Sequence, residues 1–232
     1  MNEPPKQRWG CLQWGIVAGV LVLLALVGLS LQSKVGIVEN QMRGVRDCQQ
    51  IIMALKSFSK DNSSMYPDAE TTGGVSRTAN QVFRRLFQEE ILSDERIFGC
   101  PSSRLVPDGD IGAKPRFEQA VASGECHWML LKHQTDHVHP RTPLIIENSL
   151  NADWPPKWDV SRPGIRNRGQ AWPGRKIIIG RNDGSVALEK LREDGTMDWH
   201  SPSNLDEHGK SWIDYLTPEE IAKLSYWDIE EK

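Results

Sequence analysis

The sequence predicts an α+β fold in which one long N-terminal helix packs on a small antiparallel β-sheet, with long Pro- and Gly-rich loops between the elements. Three observations predict it. An apolar stretch from Trp14 to Leu31 continues, without any proline, into an amphipathic stripe that reaches Ser59. Two strand-like segments then flank an Asp-Gly pair at 183–184, which is typical of a hairpin turn. Residues 150–175 are rich in proline and glycine and predict a long loop.

The apolar stretch predicts a transmembrane helix over residues 12–33. A helix from Trp14 to Leu31 would span roughly 27 Å, close to the thickness of a bilayer's hydrocarbon core. A cleaved secretory signal is the alternative, but its apolar core is shorter and it ends in a small-x-small site, which Leu31-Gln-Ser-Lys34 does not offer. Residues 1–11 are then a cytoplasmic head carrying Lys6 and Arg8, and residues 34–232 are a soluble domain on the other side.

The helical pattern continues beyond the membrane as a second half over residues 34–60. Apolar side chains recur there at steps of three and four, which is the pattern of an amphipathic helix that buries one face. The stripe consists of Val35, Val38, Met42, Val45, Cys48, Ile52, Leu55 and Ser59, widened by Ile51 and Phe58. Asp61-Asn-Ser-Ser64 follows and predicts the end of the helix.

Two further helices are predicted from their N-terminal caps. Thr78 and Gln81 form a capping box ahead of a helix over residues 79–92. Near the end of the chain, Thr217 followed by Pro218 and two glutamates predicts a short helix over residues 218–225.

The region between them, residues 96–200, reads as β-rich. We expect a short extended piece at 96–101 and strands at 126–131, 142–147, 176–181 and 186–190. Asp183-Gly184 joins the last two strands as a hairpin, and Asp194-Gly195 predicts another turn into a strand at 197–199.

Composition excludes several function classes. The formal net charge is −3 with both signs interspersed, so no basic surface for nucleic acid is expected. The four cysteines form no CxxC pair, which argues against a zinc ribbon. Cys100 and Cys126 could form a disulfide in an oxidising compartment, or they could remain two separate buried thiols.

Several segments, spread in order over residues 40–190, resemble type IV pilins and type II secretion pseudopilins. They are the helix end before Tyr66-Pro67, the segments 78–87 and 94–98, and the segments 124–128, 142–146 and 174–186. The resemblance implies a structural or interaction protein of the bacterial inner membrane, single-pass, with its N-terminus cytoplasmic and its domain periplasmic. It also implies membrane lipid and other pilin-like subunits or secretion-system components as partners, and no catalytic activity.

The chain departs from the pilin pattern at its N-terminus. Pilins are usually cut after a glycine and carry a glutamate at the fifth mature position, where it meets the N-terminal amine of a neighbouring subunit. Aligning Gly10 with the cleavage glycine places Gly15 where the glutamate belongs. The resemblance therefore extends to the fold more than to the processing and assembly signal.

A histidine-rich segment provides the alternative function, a membrane-anchored metal-binding or enzymatic domain. His127, His133, His137 and His139 fall within thirteen residues, and imidazole is the commonest metal ligand. His133, His137 and His139 are the candidate ligands for a transition metal. No HExxH motif accompanies them, so polar loop histidines remain the other interpretation.

Two further features could serve in binding. Asp183, Asp194 and Asp198 are possible calcium ligands, but aspartate before glycine is chiefly a turn residue, and no EF-hand spacing is present. Trp154, Trp158 and Trp172 could form an aromatic platform for a sugar or a protein, or could anchor the long loop to the core.

The sequence has no GxSxG, GxGxxG or P-loop motif, so no cofactor and no enzyme activity are expected.

Overall fold

The computed structural model describes residues 11–68 and 76–231, so the predicted head falls almost wholly outside the described residues. It divides into two units, Met1–Asn40 and Gln41–Lys232, each considered by itself. The architecture is α+β, with three α-helices and one five-stranded sheet in the described residues. Helix α1 extends over Cys11–Asp61, α2 over Ala79–Gln88 and α3 over Pro218–Lys223.

The predicted membrane span falls largely on positions whose side chains lie outside the described residues. Where side chains are described, as at Val20, Leu21 and Leu24, they are exposed. Among the helices and side chains that the structure describes, none forms a segment long and apolar enough to cross a bilayer.

In the larger unit, one face of α1 lies on the sheet. Cys48, Ile51, Ile52, Leu55 and Phe58 are completely buried, as the amphipathic stripe predicts. The contact is close at Gly180, where an added Cβ would lie 2.8 Å from Cys48 Sγ. Earlier members of the stripe behave differently: Val35, Val38 and Met42 are exposed.

The sheet has the strand order β4-β3-β2-β1-β5 and is antiparallel throughout. Its strands are Trp128–Leu131 (β1), Pro143–Glu147 (β2), Lys176–Arg181 (β3), Val186–Lys190 (β4) and Tyr226–Trp227 (β5). The β3–β4 hairpin is confirmed, and Gly184 takes the positive φ of +89° that its turn requires. β1, β2 and β3 are almost entirely buried, because helices and loops cover both of their faces.

Four elements differ from the sequence prediction. Arg96–Phe98 is a 3₁₀ turn rather than an extended piece, and residues 197–199 form no strand, since Met197 makes a single bridge to Leu191. Helix α2 ends at Gln88 rather than 92, because Glu90 takes a positive φ of +54° and the next two amides bond back to Leu86. Helix α3 ends at Lys223 because the chain then extends into β5, which the sequence did not predict.

Candidate functional site

The histidines of the segment 127–139 do not converge. His133 Nδ1 lies 3.5 Å from Asp68, His137 Nδ1 lies 3.4 Å from Asp136, and His139 Nε2 lies 3.6 Å from Asp206. Each therefore faces a different carboxylate, and His133 and His137 are largely exposed. Within the described part of the chain, His133, His137 and His139 form no cluster of three metal-ligating atoms.

His127 belongs to a different, buried cluster with Cys100 and Glu147. The Nε2 atom of His127 lies 3.4 Å from Glu147 Oε1, and the Cys100 thiol lies 3.9 Å from the same oxygen. Their ligating atoms all lie within 4.8 Å of one another, so this is one of two described groups with the composition of a metal site. Sequence reasoning missed it because the three residues lie on separate elements.

The polar neighbours of this cluster favour a hydrogen-bond network over a metal. Asn148 Oδ1 accepts from the Gly169 amide, so its Nδ2 group faces His127 Nδ1 at 2.9 Å and must donate to it. The imidazole proton then sits on Nε2, directed at Glu147. In a metal site that nitrogen would be the ligand and Nδ1 would carry the proton.

Glu147 receives donors on both of its oxygens. Trp172 Nε1 donates to Oε1 at 2.7 Å, and the Ile178 amide donates to Oε2 at 3.0 Å. With His127 and Cys100, four elements of structure meet at one carboxylate, which is itself 1% exposed. A buried carboxyl group of this kind is tolerated because both of its oxygens accept hydrogen bonds. We therefore interpret Glu147 as the centre of a network that holds the sheet and the loops together.

The three described cysteines are free thiols, which is the second of the two alternatives for Cys100 and Cys126. The Cys126 thiol donates to the Trp128 carbonyl, while Cys100 faces Glu147. Burial raises the pKa of Cys48 and Cys100 far above the ordinary range and that of Cys126 to about 12. Such thiols are poor nucleophiles and poor metal ligands.

The three aspartates considered as calcium ligands stabilise turns. Asp183 accepts from the Ser185 amide, and Asp194 accepts from both the amide and the hydroxyl of Thr196. The hydroxyl bond from Thr196 is the main reason why the pKa of Asp194 lies below its usual range. Asp198 pairs with Arg192 at 2.8 Å.

A second group of carboxylates, Glu95, Asp108 and Glu125, lies at the loop 108–125. Glu95 is buried and accepts from the amides of Gly109 and Val121 at 2.8 and 2.7 Å. Desolvation of Glu95 raises its pKa, and the nearby negative charges of Glu125 and Asp108 add to the effect. No local pattern predicts this group, and the hydrogen bonds to Glu95 anchor the loop.

The loop tryptophans mostly anchor the long loop. Trp158 and Trp172 are buried, and their indole N–H groups donate to Asn148 O and Glu147. Trp154 is half-buried and stacks on Trp199 with ring centres 4.7 Å apart. An open platform of these three residues is therefore not formed.

Two cavities in the described part of the chain are large enough for a small-molecule ligand. One, of about 560 Å³, lies between α1 and the loop 99–107 and includes Asp47, Asp94 and Arg96. Desolvation raises the pKa of Asp47 to about 6, against the opposing charges of Arg43 and Arg46. The other, of about 540 Å³, lies between the histidine segment and residues 212–224. Its lining includes His133 and His139 together with Trp212 and Tyr215, a proximity that the sequence does not predict.

Exposed apolar side chains mark α1 in both units. In the larger unit Met42 and Met53 are 52% and 66% exposed, and in the smaller unit Val35 and Val38 are 65% and 58% exposed. These apolar side chains are therefore accessible to other molecules in each unit.

No protein-family model, no curated protein and no solved structure matches this chain.

Proposed function

We propose that this chain is a membrane-anchored structural or interaction protein of the pilin or pseudopilin type, which acts by packing its long helix against other subunits. One observation carries the proposal: α1 is 51 residues long, buries one face on an antiparallel sheet, and leaves apolar side chains of that same helix exposed. A subunit packed along α1 would cover Met42 and Met53.

The helix divides its surface between two tasks. Its inner face, from Cys48 to Phe58, fills the core and contacts Gly180 of β3. Its outer positions include Met53 and Met42, flexible and polarisable side chains that adapt to different partner surfaces. Burial of one such side chain in an interface contributes about 1.5–3 kcal/mol, so several of them along a helix would help to offset the cost of association.

Anchoring completes the proposal. The apolar residues from Trp14 to Leu31 would hold the chain in a bacterial inner membrane, with the N-terminus cytoplasmic and the larger unit periplasmic. Partners would be membrane lipid and pilin-like subunits or other components of type II secretion or a related surface assembly. Because Gly15 stands where a glutamate is usual, recognition between subunits would depend on the exposed helix positions rather than on a buried N-terminal ion pair.

The alternative, a metal-binding or enzymatic domain centred on His127–His139, has weaker support. His133, His137 and His139 each face a separate aspartate, and the Nε2 proton of His127 faces Glu147. A metal bound stoichiometrically to the purified full chain, and lost in a His133→Ala/His137→Ala variant, would favour this alternative over the proposal.

The test is association in the membrane. Two differently tagged copies of the full chain are co-expressed in a bacterium, extracted in mild detergent, and one tag is used to recover the other. We expect co-purification from the membrane fraction, reduced at least fivefold by Met42→Glu together with Met53→Glu. Leu150→Glu is the control, because Leu150 is also exposed (51%) but lies in a loop.

Two results would overturn the proposal. One is recovery of the full chain in the aqueous fraction after alkaline washing of the membranes. The other is co-purification that the Met42→Glu/Met53→Glu variant leaves equal to that of the Leu150→Glu control.

A further inference from the structure

The cavity between the histidine segment and residues 212–224 has the size and the walls of a ligand site. Its volume of about 540 Å³ lies within the range usual for small-molecule pockets. Its lining combines aromatic side chains, two lysines and one glutamate, and it belongs entirely to the larger unit. It has no role in the packing of α1, so the proposed function leaves it unexplained.

One wall is aromatic and fixed in place. The rings of His139 and Tyr215 stack with centres 4.9 Å apart and planes 23° from parallel. Asp206 holds both, since the Tyr215 hydroxyl donates to its carboxylate and His139 Nε2 lies 3.6 Å away. The hydrogen bond from the Tyr215 hydroxyl is the main reason why the pKa of Asp206 lies below its usual range, so this carboxylate is ionised. Because the two rings are already held in place, a ligand that binds there loses little side-chain entropy.

Trp212 supplies a hydrogen-bond donor that is not used by the protein. Its side chain lines the cavity and is 3% exposed, and its indole Nε1 has no hydrogen-bond partner in the described part of the chain. A buried donor without an acceptor costs about 1–3 kcal/mol, and a ligand oxygen would remove that cost. The ring itself is held by edge contacts with Trp154 and Trp199.

Two ammonium groups line the cavity. Lys132 lies over the Trp227 ring, 4.8 Å from its centre, and Lys223 is exposed at the end of α3. Neither makes an ion pair with a carboxylate of the described residues at 4 Å or less.

Glu220 contributes one opposing charge, kept ionised because hydrogen bonds from Thr217 lower its pKa. The ionised Asp206 behind the aromatic wall adds a second negative charge, and the Lys210 ammonium, 5.4 Å from the centre of the Tyr215 ring, offsets it. The balance of three ammonium groups against two carboxylates favours a ligand with a single negative charge over a phosphate dianion.

We propose that this cavity binds an acidic carbohydrate, a saccharide that carries a uronic-acid carboxylate. The CH groups of a sugar ring pack against the exposed part of Tyr215, a residue that is 47% exposed although His139 stacks on its ring. The lysines pair with the carboxylate as point charges, while no arginine lines the cavity to grip a phosphate in bidentate fashion. Sugar hydroxyls provide the acceptor that Trp212 Nε1 lacks and donate to Glu220.

The test uses the full chain in detergent micelles with the monosaccharide galacturonate as the probe and its methyl ester as the matched uncharged ligand. Titration calorimetry measures affinity, and the ¹⁵N-labelled indole signal of Trp212, assigned with Trp212→Phe, reports on the donor. We expect saturable binding of the acid at least tenfold tighter than of the ester, with a downfield shift of that indole proton. Lys223→Ala should weaken binding at least fivefold, while Lys190→Ala, an exposed lysine of β4 outside the cavity, should not.

Several outcomes would overturn the proposal. They are no saturable binding of the acid, equal affinity for acid and ester, or equal effects of Lys223→Ala and Lys190→Ala. Tighter binding of a sugar phosphate than of the uronate would assign the cavity to a different ligand class. Lys223 is exposed on a short helix that has no buried residues, so we expect Lys223→Ala to change binding without lowering the stability of the fold. None of these results depends on helix–helix association, so failure here leaves the proposed function untouched.

Discussion

The indole Nε1 of Trp172 donates a hydrogen bond of 2.7 Å to the buried carboxylate of Glu147, and this contact ties the long loop 150–175 to strand β2. The same carboxylate accepts from the Ile178 amide of β3 and lies against His127 and Cys100. The loop, two strands and the chain before β1 therefore depend on one side chain.

Replacing this carboxylate should be costly. In Glu147→Gln, the new NH₂ group must face either the indole N–H of Trp172 or the amide N–H of Ile178, and two donors cannot bond to each other. We therefore expect the free energy of unfolding to fall by about 3 kcal/mol. Equilibrium urea denaturation of the full chain in detergent measures it. Glu193→Gln is the control, because Glu193 is 92% exposed and its loss should change stability by less than about 0.5 kcal/mol. Equal stability of the two variants would refute the role of Glu147 as a network centre.

The contact between α1 and β3 should not tolerate a side chain at position 180. An added Cβ would press on Ile52 and lie 2.8 Å from Cys48 Sγ, so Gly180→Ala should destabilise the chain by about 1–3 kcal/mol. Gly36→Ala is the matched change on an open helical surface, where alanine should be neutral or stabilising by up to about 1 kcal/mol. Thermal unfolding of both variants measures the difference. A Gly180→Ala protein as stable as the parent would show that the helix does not lie on β3 as described.

Asp47 should make the chain less stable as pH rises. Its pKa is raised by desolvation from 3.8 to about 6, so between about pH 4 and 6 the folded chain binds more protons than the unfolded chain. Stability from this group is therefore present at low pH and lost as pH rises through 6. Because Asp47 is partly exposed, solvent screening reduces the effect to about 1 kcal/mol.

The corresponding measurement compares unfolding temperatures at pH 5 and pH 7.5. Asp47→Asn should be more stable than the parent at pH 7.5 and should show a smaller difference between the two pH values. Glu207→Gln, a change at a side chain that is 87% exposed, should retain the parent's pH dependence. An unchanged profile in Asp47→Asn would contradict the raised pKa.

Thiol counting distinguishes the two states of Cys100 and Cys126. In a Cys11→Ser background the folded chain should react very slowly with a thiol reagent at pH 8, because Cys48, Cys100 and Cys126 are buried and burial raises the pKa of each. After unfolding in urea without reductant, three thiols should react. A count of one would mean that Cys100 and Cys126 are bridged.

The sequence predicted elements whose signal is local. The stripe from Cys48 to Phe58 has helical period, and Asp183-Gly184 has the residue types that a hairpin turn requires, so both were predicted correctly. Strand β5 has two residues and forms through its pairing with Leu130 and Leu131, so it has no periodicity to detect.

The sites depended on contacts between distant segments. Glu147, His127 and Cys100 meet only because β1, β2 and the turn at 96–98 come together in the fold. The cavity likewise lies between residues 132–142 and residues 212–224. The spacing of these residues along the chain does not predict that the two segments meet. Local patterning suggested a histidine metal site, but the turns direct each histidine toward a different aspartate.

The most direct test of the central claim is cross-linking between helices in native membranes. The full chain carries Cys11→Ser and one new cysteine, at Met42 or Met53 on α1 or at Leu150 in the loop, and a short bismaleimide is added. All three positions are exposed, whereas the native cysteines of the larger unit are buried. The proposal predicts cross-linked dimers or larger ladders for Met42→Cys and Met53→Cys and monomer for Leu150→Cys. Monomer at all three positions, or cross-linking at Leu150→Cys as efficient as at Met53→Cys, would contradict it.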